Sequence, residues 1–349
     1  MKIGNREIGG NAPAYIIAEM SANHAGSIEN AKKIIHAAKE AGADCVKIQT
    51  YTADTLTIDC EKPYFYLGDG TWSGENLYRL YQKAYTPWEW QPELKKEAEL
   101  IGIDFFSTPF DKSSVDFLEE MGLEFYKIAS FELVDIPLIK YVASKGKPII
   151  MSTGMATLGE IEDAVNAVRS QGNNQLALLK CASAYPAITD EMNLMTMRNM
   201  AEVFDVPVGL SDHSMGSVGA VTAVAFGAKI IEKHFCLGRE IENPDSCFSM
   251  NPQEFGQMVK DIRQAEKAIG KVSYGMSEQE KSNISVRRSI FCVKDIKKGE
   301  VLTEENIRVI RPGHGMAPKY FEEILGQVAL EDIERGTPMA HSMIGKPGR

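Results

Sequence analysis

"PVGLSDHSMGSVGAVTAVAFGAKIIEKHF" occupies residues 207–235. It opens on a short apolar run that closes with Ser211, Asp212 and His213. It ends on a second run that closes with Glu232, Lys233 and His234. Between them lies a small-residue segment with a glycine stop, "AFGAKI". A strand, a helix and a second strand fit this order. The runs are almost continuously apolar rather than alternating, as expected of parallel strands covered on both faces.

The same unit recurs along the chain. Candidate strands are "YIIAEMS" (15–21), "CVKIQT" (45–50), "IDFFSTP" (103–109), "EFYKIAS" (124–130), "PIIMSTG" (148–154) and "LALLKC" (176–181), followed by the pair at 207–212 and 230–235. Segments such as "SIENAKKIIHAAKEAGA" separate them, with apolar residues at i, i+3, i+4 and i+7. "KEAGAD", "AELIGID" and "ASKGKP" place a glycine where a helix must stop before the next strand. Eight such units predict an α/β fold, a (β/α)₈ barrel spanning residues 1–270. A doubly wound open sheet is the competitor, but "MSANHAG" after the first strand is not the GxGxxG that such sheets usually carry. Residues 51–87, rich in tyrosine and tryptophan, read as a long loop of the lid type. Residues 271–285 are polar and read as a linker. Residues 286–349, with turns such as "KKGE" and "ERGTP", read as a small second domain near the lower size limit for independent folding.

Composition narrows the function. The chain has 349 residues, 44% hydrophobic content and a formal charge of -10. No lysine- or arginine-rich block is present, which argues against a nucleic-acid partner. The six cysteines form no CxxC pair, so neither a zinc nor a disulfide framework is expected, and a reducing compartment fits. No apolar run is long enough for a membrane span and no secretory leader pattern is present. A soluble cytoplasmic protein is the expectation.

In a barrel the chemistry sits where the strands end. Those ends supply Glu19, Lys47, Gln49, Thr108, Lys127, Ser130, Glu132, Thr153, Ser183, Tyr185, Ser211, His213 and His234. A barrel core needs none of them, and uncompensated buried charge is costly. Lys47 and Lys127 interrupt apolar strands. They are either snorkelling or paired with carboxylates, or they form an anion site with the hydroxyls of 108, 130, 153 and 211. A lysine there also allows Schiff-base chemistry of the aldolase kind. His213 and His234 end the seventh and eighth strands. They are either hydrogen-bonded structural residues or two ligands of one ion with positions left open for substrate. Glu19, at the end of the first strand, closes next to the eighth. It is an acid/base candidate or the salt-bridge partner of a lysine.

The phrases "IAEMSANHAG", "ADCVKIQTYTADTLTID", "STPFD", "YKIASFE", "MSTGMAT", "CASAYPA", "GLSDHSMG", "IIEKHF" and "PDSCFSM" resemble the sialic acid synthase family. "RRSIFCVKDIKKGEVLTEENIRVIRPGHGM" resembles its antifreeze-like (SAF) domain. "SANHAG", "NLYRLYQKAYTPWEW" and "CASAYP" are closest to the pseudaminic branch. Ser183 stands where N-acetylneuraminate synthases carry Asn, which points away from N-acetylmannosamine. The resemblance implies condensation of phosphoenolpyruvate (PEP) with 2,4-diacetamido-2,4,6-trideoxy-altrose in its aldehyde form, with release of phosphate. It implies a divalent metal (manganese, cobalt or magnesium) on His213 and His234. It implies PEP on Lys47, Gln49, Thr108, Lys127, Ser130, Thr153, Ser183 and Ser211, and the sugar on Glu132, Tyr185 and Asp245. Glu19 would orient or deprotonate a water. Arg311 would be supplied by the partner subunit of a domain-swapped homodimer. Two further readings stay open: a sister synthase making N-acetylneuraminic or legionaminic acid, and a non-catalytic carbohydrate-binding protein.

Overall fold

The computed structural model describes residues 1–347, so the last two residues of the expected second domain lie outside it. A short hairpin, β1 (Lys2–Ile3) and β2 (Arg6–Glu7), leads into eight strands: β3 (Tyr15–Glu19), β4 (Cys45–Thr50), β5 (Asp104–Pro109), β6 (Tyr126–Ile128), β7 (Ile149–Ser152), β8 (Leu176–Cys181), β9 (Val208–Asp212) and β10 (Ile230–His234). All pair in parallel with their sequence neighbours, and β10 returns to β3, closing a (β/α)₈ barrel. That closure sets Glu19 opposite His234.

The helices begin and end where local chemistry predicts. α1 (Ile28–Glu40) is capped by the Ser27 side chain, which accepts from the Asn30 N–H. α7 (Leu158–Ser170) and α10 (Pro252–Ile269) start on capping boxes, Thr157 with Glu160 and Asn251 with Glu254. Each box satisfies two orphan donors of the first turn. α4 (Gln91–Ile101) ends on Gly102 at φ +70°, a conformation that costs glycine nothing. α5 (Lys112–Glu120), α6 (Ile136–Ala143), α8 (Met195–Phe204) and α9 (Val218–Ala225) complete the outer ring.

Two apolar layers result from strand alternation. Ile16, Ala18, Val46, Ile48, Leu178 and Leu210 face the helices. Ile17, Phe106, Phe125, Ile150, Leu179 and Ile230 fill the barrel interior, where Ile3 and Ile8 of the hairpin join them. The interior is thus packed below and polar only at the strand tips.

Residues 51–87, expected as one long loop of the lid type, contain helical turns. They carry α2 (Ala53–Leu56) and α3 (Leu77–Ala84), each with a side-chain N-cap, Thr52 and Asn76. The apolar spacing of "LYRLYQKA" is helical, and its aromatic richness masked that periodicity.

The chain divides after Gly270 into two compact units. In the second, residues 271–286 are exposed throughout and include the one-turn helix Glu278–Lys281. Beyond them, β11 (Ser289–Cys292) pairs antiparallel with β12 (Ile307–Ile310), and β13 (Val328–Ala329) with β14 (Ile344–Gly345). Ile290, Leu302, Ile307, Ile324, Ile333 and Met339 form its own core. No described helix is long and apolar enough to cross a membrane.

Candidate active site

Alternation decides which strand-end residues meet. Glu19, Lys47, Lys127, Ser211, Glu232 and His234 point into the barrel above the apolar plug. Lys47 Nζ lies 2.9 Å from Glu19 Oε2 and 3.0 Å from Glu232 Oε1. Lys127 Nζ lies 3.6 Å from Glu232 Oε1 and donates to Ser152 Oγ at 2.7 Å. All four charged groups are almost fully buried. Both lysines are therefore paired with carboxylates and also face one another across Glu232. Ser211 Oγ donates to Glu232 Oε1 (3.3 Å), and Lys47 Nζ donates to Thr108 Oγ1 (3.4 Å). Gln49 Nε2 donates to Glu19 Oε1 (3.2 Å) and Ser21 Oγ (3.0 Å).

Burial and charge split the carboxylates. Glu232 sits in a buried pocket that would raise its pKa, but Lys127 and Lys47 outweigh this and hold it near 2. Glu19 is lifted to about 7 by burial, against the pull of Lys47 and with a push from Glu232. Glu132 rises to about 7 chiefly by burial, and its Oε2 has no partner. Lys127 is lowered by burial and by Lys47, while Glu232 opposes the shift.

The ring centroids of His213 and His234 lie 5.3 Å apart. His213 Nδ1 sits 3.0 Å from the Ala182 carbonyl, a contact that fixes the ring with Nε2 free. His234 Nδ1 is buried without a partner, and burial with the neighbouring cations holds that ring neutral. Two ring nitrogens unspent in one polar mouth suit a divalent cation. Among the described residues no third His, Cys, Asp or Glu completes a closed cage with them. An ion held here would keep positions open for substrate oxygens, as Lewis-acid sites do.

Tyr185 packs its ring 4.2 Å from His213 and 5.2 Å from Phe248. Asp245 accepts from the Ala22 N–H at 3.0 Å. Glu132, Tyr185, His234, Gln49 and Asp245 line one cavity. Ser130 Oγ accepts from the Gly154 N–H at 3.1 Å, and Ser183 Oγ lies 3.5 Å from Cys181 Sγ. A Cβ on Gly154 would sit 2.0 Å from Ser183 Oγ and 2.8 Å from Ser130 Oγ, so the residue must be glycine for the two hydroxyls to converge. Arg311 is exposed in the second unit.

Thr153 departs from the expectation. Its hydroxyl donates to the Leu179 carbonyl at 3.1 Å and approaches Met200 Sδ at 3.6 Å, in the barrel–helix layer. One step along the strand reverses the face, so Ser152 supplies the inward hydroxyl. The same parity removes other strand-end polar groups. Lys233 is buried against Asp212 (2.7 Å) and the carbonyls of Ser214 and Gly216. Thr50 bonds Gln91. His24, pushed down to about 4 by burial, contacts Thr86 and so anchors the end of the 51–87 segment. Ser152 and Glu232, which sequence reading left without a role, join the buried cluster of Lys47 and Lys127. Counting alternation back from His234 along the same strand would have found Glu232.

A family model described as the NeuB family matches residues 34–274, and one for the SAF domain matches residues 287–344. A pseudaminic acid synthase of Campylobacter jejuni subsp. jejuni is 45% identical, over 98% of this chain and 99% of its own. The Helicobacter pylori pseudaminic acid synthase is 44% identical, over 94% and 97%. The crystal structure of N-acetylneuraminic acid synthetase from Leptospira borgpetersenii is similar at a TM-score of 0.72 and 32% identity, covering 81% of this chain and 94% of that one. With residues 34–274 matched by that model and relatives of 44–45% identity covering nearly the whole chain, the chain belongs to the NeuB family.

Proposed function

We propose that this chain condenses PEP with 2,4-diacetamido-2,4,6-trideoxy-altrose to give pseudaminic acid and phosphate. One observation carries the reading: two buried lysines, two carboxylates and two imidazoles with unspent nitrogens face one mouth of the barrel. Near-full-length similarity to pseudaminic acid synthases supports the choice of sugar. His213 and His234 would hold a divalent cation (manganese, cobalt or magnesium), which would supply Lewis-acid polarisation of the aldehyde.

Lys47 and Lys127 bind the phosphate and carboxylate of PEP through charge-assisted hydrogen bonds, helped by Thr108, Ser130, Ser152, Ser183 and Ser211. Gln49 holds Glu19 and Ser21 in place. Tyr185, Glu132 and Asp245 orient the sugar so that its C1 faces PEP C3, an advantage of position rather than of chemistry. The C3–C1 bond forms from the enol π electrons as the aldehyde C1=O π pair moves onto its oxygen, which takes a proton from solvent, and positive charge develops at C2. Water adds at C2, and Glu19, with a pKa near working pH, takes its proton. Glu232 stays ionised between the lysines and offsets their charge. The tetrahedral adduct then breaks its bridging C2–O bond to phosphate, phosphate leaves with that electron pair, and the C2 hydroxyl loses its proton to become the ketone. No lysine adduct is needed.

The second unit acts in trans in this reading. Arg311 of a second copy contacts the sugar, which makes the working form a domain-swapped homodimer. Six free cysteines fit a cytoplasmic location. PEP assayed with each candidate hexosamine tests the proposal. Phosphate release with the diacetamido-trideoxy-altrose and little with N-acetylmannosamine is expected; release with no sugar in the panel would refute it.

A further inference from the structure

The mouth continues into a cavity of about 400 Å³ beneath residues 51–87. Its two walls differ in chemistry. The strand tips and their loops contribute polar groups, among them Ser21, Gln49, Glu132, Asp245 and His234. The 51–87 segment contributes Leu56, Leu67, Leu77 and Leu80, besides aromatic rings and Ala84, and no charged side chain. The segment is not short of charge. Arg79 pairs with Glu61, Lys83 with Glu75 at 3.3 Å, and Tyr78 donates to Asp54 at 3.0 Å, all in solvent. Helix α3 is therefore strictly amphipathic. Positions 77, 80, 81 and 84 form one face, and that face lines the cavity, with Leu80 buried and the Tyr81 ring 5.7 Å from Tyr51. Trp72 fixes the segment over the mouth. Its Nε1 donates to the Pro244 carbonyl at 2.9 Å, and its ring lies 5.2 Å from Tyr185.

An apolar wall opposite a polar rim cannot satisfy a fully hydroxylated sugar chain. Each hydroxyl turned to the leucines would lose its water without gaining a partner. A chain whose far end carries a methyl in place of a hydroxymethyl, with an acetamido methyl nearby, loses nothing there. We infer that the apolar face of α2 and α3 is the specificity wall for the distal, deoxygenated end of the acceptor, selecting a C6 methyl over a C6 hydroxymethyl. This rests on the proposed reaction, which fixes the aldehyde end at His234 and Tyr185. An apolar pocket rejects an added hydroxyl only modestly, by roughly 10- to 100-fold, so a preference of that order is expected.

The test uses the full chain, PEP, and two acceptors that differ only at C6: the 2,4-diacetamido-2,4,6-trideoxyhexose and its 6-hydroxy counterpart. kcat/KM is measured for each with the parent, Leu56→Asn and Leu77→Asn. The two variants lie on different helices and neither leucine is fully buried, so one misfolded variant does not remove the test. Melting temperature and PEP KM report on the fold. The parent's preference for the 6-deoxy sugar should shrink several-fold in a folded variant, while PEP KM stays within about twofold of the parent. Unchanged selectivity in folded, active variants overturns the inference alone. No phosphate release by the parent with either sugar overturns the proposed reaction and the inference together.

Discussion

His234 Nδ1 is a buried nitrogen with nothing to bond, and Glu132 Oε2 a buried oxygen in the same condition. Natural proteins rarely leave such groups unpaired without a reason. For the imidazoles the proposed reason is a cation. His213→Ala or His234→Ala should lower kcat on the order of a thousandfold and abolish Mn²⁺ binding in calorimetry; full turnover in chelator would refute this. For Glu132 the proposed reason is a sugar hydroxyl, with the free protein carrying the cost. An unfolded glutamate titrates near 4.5, whereas folded Glu132 titrates near 7. Between those values the native state keeps a proton that the unfolded chain has lost, so stability falls as pH rises through that window. Glu132→Gln should stabilise the protein by on the order of 1–3 kcal/mol at pH 8 and not at pH 4.5, read from denaturant unfolding. Equal stability of parent and variant at pH 8 would contradict the burial argument. Legibility at this scale depended on parity. Residue types at strand ends named the cluster, but not which neighbour faces inward, so Thr153 was named where Ser152 is the inward hydroxyl, and Glu232 went without a role.

Elements carry those residues to one place. β9 approaches β10 so closely at Gly209 that a Cβ would lie 2.3 Å from the Ile230 carbonyl oxygen. Gly209→Ala must push the two strands apart. A cost of about 1–3 kcal/mol is expected, with metal affinity lost as His213 and His234 separate; a variant with parental melting temperature and affinity would show that the approach does not matter. The barrel strands were legible because they are mostly near-continuous apolar runs, several of them following a glycine helix stop. The helices of residues 51–87 were not. α2 has only 4 residues, and in α3 tyrosines interleaved with charged side chains hid a helical spacing. Their shape depends on caps at Thr52 and Asn76 and on contacts such as Trp72 with the Pro244 carbonyl, which link positions far apart in sequence.

At the scale of the whole molecule, the second unit has its own core and carries Arg311 outside the barrel unit. In the proposed dimer, Arg311→Ala raises the sugar KM by about tenfold or more, the cost of one charged hydrogen bond, and leaves the PEP KM near the parental value. An equal rise in both would remove the arginine from the sugar. The break after Gly270 shows in the sequence as a change from βα periodicity to a polar stretch, whereas association of two chains leaves no pattern that one sequence displays. What the barrel, its buried lysines and its open imidazoles are proposed to do together is to break PEP at carbon rather than at phosphorus. PEP labelled with ¹⁸O at the bridging oxygen, incubated with the protein, Mn²⁺ and the diacetamido-trideoxy-altrose, tests this in one mass spectrum. Phosphate carrying the label, formed only when the sugar is present, is the predicted result; unlabelled phosphate, or release independent of sugar, would contradict it.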